Sequence, residues 1–189
     1  MAPIRHKSTP LTVKVSKLWT SPEGATMKLP LDVKLEFQPE EINAVSDFTG
    51  DLMLIKLKDE ISAIISNAEV DVSFACNRCL KQFVETIRIP GSERQFLAGK
   101  PDKVDDLSDV FLIDMKDLTI DLNEMLRQEI ILHFPFIPVC SDSCKGLCPV
   151  CGKDRNRRPC ACKQEDSETH QPFRDLKKIM GGTRKRAKP

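Results

Sequence analysis

Eight cysteines divide this 189-residue chain into a metal-like grammar that few folds can ignore. Cys76 and Cys79 form one CxxC inside Phe74-Ala75-Cys76-Asn77-Arg78-Cys79-Leu80. After sixty residues of ordinary sequence, Cys140, Cys144, Cys148, Cys151, Cys160 and Cys162 crowd into one stretch. Eight thiolates suffice for two four-coordinate zinc sites, and a CxxC turn suits tetrahedral Zn–S geometry. Sites closed by four protein ligands hold structure and leave no position for chemistry, so the pattern points to a scaffold or binding protein.

Disulfides compete for the same cysteines. A secreted domain calls for a basic N-terminal patch, an apolar run and a small-residue cleavage site. Here Arg5-His6-Lys7 is followed by Leu11-Thr12-Val13-Lys14-Val15, which is polar at every second position. The longest apolar stretch, Ile130 to Cys140, is broken by His133, Pro135 and Pro138 and falls short of a bilayer span of ~20 residues. The expectation is a cytoplasmic protein with no membrane partner, and in that reducing compartment metal ligation outranks disulfides.

The net charge of +1 hides an asymmetry. Residues 145–189 carry thirteen Lys/Arg against five Asp/Glu, a net of +8, and residues 1–144 carry the complementary −7. A basic end on an acidic body suggests a polyanionic partner met by that end; a merely solvated basic tail is the plainer alternative.

The body reads as strand. Leu29, Leu31, Val33, Leu35 and Phe37 alternate with polar residues, the period-2 pattern of a half-buried strand. Phe48–Leu57 and Ile61–Ala75 read alike, joined at Lys58-Asp59-Glu60. Val70, Val72 and Phe74 lead straight into Cys76, and Phe83, Glu85, Ile87 and Ile89 resume the alternation, so the first CxxC belongs at a hairpin tip. Gly91 and the acidic stretch Lys100–Asp109 mark loops, where Asp105, Asp106 and Asp109 are solvated carboxylates.

One helix is expected near 118–134. Asp121 and Glu124 make a capping box, and Leu118, Leu122, Met125, Leu126 and Ile130 form its apolar stripe. His133, alone at the end of that helix, reads as a satisfied core or cap residue rather than a ligand. A short second helix should start at Pro172 and stop at Gly181-Gly182, with a disordered basic tail over 181–189. The fold class is therefore α+β: a mainly antiparallel sheet body (1–139) with one central helix. A cysteine-rich double zinc-knuckle module (140–162) packs on the body through Cys76/Cys79, followed by a short C-terminal helix (163–180).

The ligands divide in two ways. Cys148-Pro149-Val150-Cys151-Gly152 is a strong knuckle, Gly152 permits a left-handed turn, and Cys160-Ala161-Cys162 can close a four-thiolate site with it. Cys140 and Cys144 then join Cys76 and Cys79, stapling the hairpin tip to the segment after the helix. The rival division shares one metal among Cys140, Cys144, Cys148 and Cys151 and leaves Cys76/Cys79 to the CxC; spacing alone leaves both open.

Enzyme signatures are missing. Cys144 to Cys151 matches the CxxxCxxC of radical iron–sulfur enzymes, but the β-rich body before it and the forty residues after it are the wrong context. A thioredoxin-like role for Cys76/Cys79 requires a helix N-terminus in a βαβ unit. No phosphate-binding, dinucleotide, zinc-protease or nucleophile-elbow motif occurs. The expectation is a non-enzyme with no small-molecule substrate.

These residues resemble the bacterial YceD family. Cys76-Asn77-Arg78-Cys79-Leu80 is similar to its C-x-R-C-L element. Glu129-Ile130-Ile131-Leu132, Pro135, Pro138 and Cys140, continuing as Cys144-Lys145-Gly146-Leu147-Cys148-Pro149-Val150-Cys151-Gly152, resemble its E-I-I-L-x-x-P…C-x-x-x-C-K-G-L-C-P-x-C-G block. Asn156, Cys160 and Cys162 fit its N…C-x-C ending, and Pro172-Phe173…Leu176-Lys177 its closing helix. The resemblance covers roughly residues 47–180. It implies a non-enzymatic role in accumulation of the large (23S) ribosomal RNA, through its synthesis, processing or stability. Family members lacking the second block imply the pairing of Cys76/Cys79 with Cys140/Cys144.

The resulting reading is a factor for large-subunit biogenesis with two structural zincs, whose partner is a 23S rRNA precursor or assembly intermediate, or a ribosomal protein. Lys145, Lys153, Arg155, Arg157 and Arg158 are the candidates for phosphate contacts, and Arg184, Lys185, Arg186 and Lys188 add sequence-independent attraction. With Trp19 the lone tryptophan and no tyrosine, readout by base stacking is disfavoured. The alternative is a protein–protein adaptor that grips its partner through the knuckles.

Overall fold

The computed structural model describes residues 11–99 and 110–162, and the chain divides into two compact units, Met1–Cys144 and Lys145–Pro189. In the first unit the elements run β1 (Thr12–Lys14), α1 (Ser16–Trp19), β2 (Thr26–Val33), β3 (Phe48–Lys56), β4 (Glu60–Ala75), β5 (Gln82–Leu97), β6 (Phe111–Leu112), β7 (Thr119–Asp121) and α2 (Asn123–Leu132). It is a sheet-dominated α+β arrangement.

β2 through β6 form one sheet in chain order, antiparallel except for the short parallel pairing of β6 with β5. β1 pairs with β7 in a second, two-stranded sheet. The long β4–β5 hairpin is in register from Glu60↔Leu97 to Ala75↔Gln82, so its tip falls on Cys76–Lys81 as the alternation required. Ile61, Ala63 and Ile65 of β4 point into the core with Leu52 and Leu54 of β3, while Met125, Leu126 and Ile130 of α2 are also buried. Arg94 on β5 forms an ion pair with the buried Glu129 of α2, which ties helix to sheet.

Halfway along β4 the buried positions change from odd to even: after Ile65 they are Ala68, Val70 and Val72. The register against β3 slips here, between Thr49↔Glu69 and Asp51↔Ser66, and Asn67 adopts φ +51°. An extra residue inserted into one strand reverses which side chains face the core from there on. Gly50 lies against this bulge, where a Cβ would come within 2.7 Å of the Ala68 Cβ.

Several expectations need correction. Gly91 does not end a strand: it pairs with Ser66 inside β5, because Ser92–Leu97 have partners of their own in β4. β2 stops at Val33, although Leu35 and Phe37 still pack on the core. Four-residue α1, with Leu18 buried, had no periodic pattern to announce it. α2 begins at Asn123; Leu118, assigned to its stripe, precedes it with φ +48°. Asp121 does accept the Asn123 backbone N–H at 2.9 Å, but Glu124 is turned to Arg127, with contacts at 2.8 and 2.6 Å. His133 caps the helix, its Nδ1 2.8 Å from the Glu129 carbonyl oxygen. The acidic stretch 100–109, the helix expected from Pro172 and the basic tail lie outside the described residues. Among the described residues, no helix is long and apolar enough to cross a membrane.

Candidate metal centres and basic surface

The hairpin tip is a turn built for two thiols. Cys76 donates its N–H to Lys81 O (2.9 Å) and Leu80 donates to Cys76 O (2.8 Å), while Leu80 takes φ +61°. The segment leaving α2 docks on this turn through Asn77 N–H to Pro138 O (2.9 Å). That contact delivers two more sulfurs: Cys79 Sγ lies 3.7 Å from Cys140 Sγ, and Cys76 Sγ lies 3.9 Å from Cys144 Sγ. All four sulfurs are within 4.8 Å of one another. Cys76, Cys79 and Cys144 are buried and Cys140 is half-buried.

Arg78, between the two tip cysteines, completes the junction. Its backbone N–H points at Cys76 Sγ (3.4 Å), and its guanidinium donates to the carbonyls of Asp142 (2.9 Å) and Cys144 (3.1 Å). This clamp role was not read from the sequence, where Arg78 stood only as a motif letter. An arginine between the two cysteines of the CxxC was the available signal.

The second unit repeats the turn. Cys148 donates to Lys153 O (2.8 Å), Gly152 donates to Cys148 O (2.8 Å), and Gly152 takes φ +69°. Cys148, Cys151, Cys160 and Cys162 gather with their sulfurs again within 4.8 Å. Of the two divisions that spacing left open, the structure brings together the one that keeps Cys148/Cys151 with the CxC. Here Cys148 is buried, Cys160 half-buried, and Cys151 and Cys162 exposed.

Lys145, Lys153, Arg155, Arg157 and Arg158 all stand exposed around this second cluster. Their backbones are fixed: Arg155 N–H donates to Gly146 O (3.0 Å), and Arg157 and Arg158 both donate to Asp154 O (3.3 Å). Asn156 holds the Lys145 N–H through Oδ1 (2.8 Å), and Asp154 Oδ1 in turn accepts from Asn156 N (2.9 Å) and Nδ2 (2.8 Å). Arg184, Lys185, Arg186 and Lys188 lie outside the described residues.

Crowding four thiols sets their acidities apart. Burial pushes Cys76 up, but backbone hydrogen bonds around Cys140, Cys79 and Arg78 outweigh it and leave the thiol at about 6. Burial, then the neighbouring thiols Cys144, Cys79 and Cys76, drive Cys140 up to about 12. In the second cluster, backbone amides at Cys151 and Val150 lower Cys148 to about 6, whereas Cys162, hydrogen-bonded to Cys151 and partly desolvated, rises to about 12. Thiolates held this close repel one another unless a cation sits among them. Either cluster could hold a metal ion.

The profile of the family described as "Large ribosomal RNA subunit accumulation protein YceD" matches residues 65–180, which include all eight cysteines, most of β4, β5 and α2. The chain belongs to the YceD family. Uncharacterized proteins of Mycobacterium tuberculosis and Mycobacterium bovis are each 30% identical to it over 156 residues, covering 78% of this chain and 72% of theirs. The YceD homolog 1 of Arabidopsis thaliana chloroplasts, named as a large ribosomal RNA subunit accumulation protein, is 31% identical over 62 residues, 32% of this chain and 19% of that protein. No solved structure matches.

Proposed function

We propose that this YceD protein is a non-enzymatic, cytoplasmic factor for large ribosomal subunit biogenesis. Two structural zinc ions brace it, and it binds 23S rRNA precursors through the basic surface of its second unit. The zinc assignment rests on spacing. Four thiolates at ~2.3 Å around a tetrahedral ion stand ~3.8 Å apart; in the first cluster the Cys79–Cys140 and Cys76–Cys144 sulfurs are separated by 3.7 and 3.9 Å, and in both clusters all four sulfurs lie within 4.8 Å. A disulfide needs ~2.05 Å. Cys76, Cys79, Cys140 and Cys144 would hold one ion, and Cys148, Cys151, Cys160 and Cys162 the other. Each ion supplies cross-linking and charge neutralisation, with no open coordination position for chemistry.

The observation that carries the RNA reading is the fixed display of Arg155, Arg157 and Arg158 on the second knuckle. Cations on a pre-ordered backbone lose less entropy on meeting phosphates, and the family's description as a large ribosomal RNA accumulation protein supplies the polyanion. A filter-binding titration over a salt series tests it. Affinity for 23S rRNA fragments should fall with a log–log slope of roughly −0.7 to −0.9 per phosphate neutralised. Removal of Gly181–Pro189 should flatten the slope, and replacement of the three arginines by alanine should weaken binding further. Absence of affinity at low salt ends the RNA reading.

A second reading, a protein adaptor, has its own observation. The two segments that supply the first cluster also expose Leu80 (66%), Leu132 (68%), Phe136 (98%) and Ile137 (57%). On that reading Phe136→Asp abolishes association with pre-ribosomal particles, and the salt series shows no RNA affinity.

A further inference from the structure

The two clusters have the same ligands and nearly the same turn, yet differ in access. In the first, three of four cysteines are buried and Arg78 is clamped to carbonyls at its rim. In the second, Cys151 and Cys162 are both exposed, and their sulfurs lie within 4.8 Å of each other. Each also flanks a segment of exposed cations, Lys153 to Arg158. Oxidation of a cysteine requires an approaching oxidant as well as an electron-rich sulfur. Access is what separates these two sites.

The geometry points to Cys151 and Cys162 as an oxidative modification site for small peroxides, with the second zinc released when it reacts. The Cys151 thiolate attacks the O–O bond of hydrogen peroxide and forms a sulfenic acid with loss of hydroxide. The Cys162 thiolate then displaces the sulfenic oxygen and closes the S–S bond. Two electrons pass from the thiolates to the peroxide, which takes two protons from solvent and leaves as two waters. The ion, reduced to Cys148 and Cys160, dissociates. The short hairpin from Gly146 to Arg155 is too small to bury a core of its own, so it loosens when the metal leaves. Resting on the RNA-binding reading above, this makes the basic surface redox-controlled: reduced protein binds phosphates and oxidised protein releases them.

The test uses full-length, zinc-loaded protein titrated with hydrogen peroxide, with released zinc followed by a chromogenic chelator. Aliquots are alkylated and mapped by peptide mass spectrometry. One equivalent of zinc should leave in a first phase, accompanied by a Cys151–Cys162 disulfide, while Cys76, Cys79, Cys140 and Cys144 stay unmodified. Reductant with added zinc should reverse both signals. In parallel, oxidation should reduce the magnitude of the RNA salt slope by about two to three, the share of Arg155, Arg157 and Arg158. The inference is overturned if both ions leave together, if Cys76 or Cys79 reacts first, if Cys148 and Cys160 form the first disulfide, or if the second cluster carries no zinc. Cys151→Ser could fail to load metal, so the wild-type peptide map decides. Reduced protein without RNA affinity would sink the RNA reading alone, and the zinc and peptide results would still decide this one.

Discussion

Leu80 and Gly152 occupy the same place after their CxxC turns, and both adopt a left-handed backbone, at φ +61° and +69°. Glycine takes that conformation freely, whereas a side chain costs roughly 1–2 kcal/mol there. Leu80 offsets little of this by packing, since it is 66% exposed. Leu80→Gly should therefore stabilise the zinc-loaded protein by about 0.5–1 kcal/mol after the added entropy of unfolded glycine is subtracted. A urea midpoint shifted downward would show instead that the leucine packs in solution. The acidities of the thiols yield a second expectation at this scale. Cys140 and Cys162, held near 12, keep their protons at neutral pH in the metal-free protein, and a metal must displace them. Apparent zinc affinity at each site should then rise about tenfold per pH unit between roughly pH 6.5 and 8 for each proton displaced. A chelator competition that is flat across this range would contradict it.

At the scale of elements, the β3–β4 junction leaves no room for a side chain at Gly50. Gly50→Ala would drive a methyl to within 2.7 Å of the Ala68 Cβ, and should cost about 1–3 kcal/mol by overpacking. Gly50→Ala with Ala68→Gly should recover part of that loss, because the nearest contact is the Ala68 Cβ, while the backbone contacts with Ala68 Cα at 3.0 Å and Ser66 O at 3.3 Å remain. Equal destabilisation in single and double variants would place the strain in the backbone instead. This junction also shows what could be read beforehand. Strict alternation located β3, the β4–β5 hairpin and its cysteine-bearing tip, because one buried face forces a period of two. It could not locate the bulge at Asn67, where alternation reverses parity through a single inserted residue. Gly91 misled for a related reason: glycine usually punctuates, but here long flanking pairings carry the strand through it. α1, with four residues, is shorter than the periodicity that would reveal a helix. The cysteine grouping was half-legible: spacing proposed two divisions, and the convergence of Pro138 on Asn77, a long-range contact invisible in sequence, is what joins Cys140 and Cys144 to the tip.

Across the whole molecule, the two cysteine clusters, on the proposed zinc reading, should carry different shares of stability. The first joins Cys79 to Cys140, 61 residues apart, and thereby fastens the end of the longest hairpin to the segment leaving α2. Closing a loop of that length restricts the unfolded chain substantially, and the binding energy of a structural zinc is also folding energy. The second closes only the stretch from Cys148 to Cys162, within the separate unit Lys145–Pro189. The core of the first unit (Phe48, Leu52, Leu54, Ile61, Ile65, Phe96 and the buried face of α2) draws no ligand from it. Cys76→Ser should accordingly lower the thermal midpoint of the main transition and release one zinc, with loss of protection at amides throughout the β4–β5 hairpin. Cys160→Ser should also release one zinc, but leave the main transition within a degree or two and expose only amides from Gly146 onward. Hydrogen exchange read beside metal content separates the two cases. If Cys160→Ser melts the sheet as far as Cys76→Ser does, the two sites are not energetically separate and the second zinc braces the body as well.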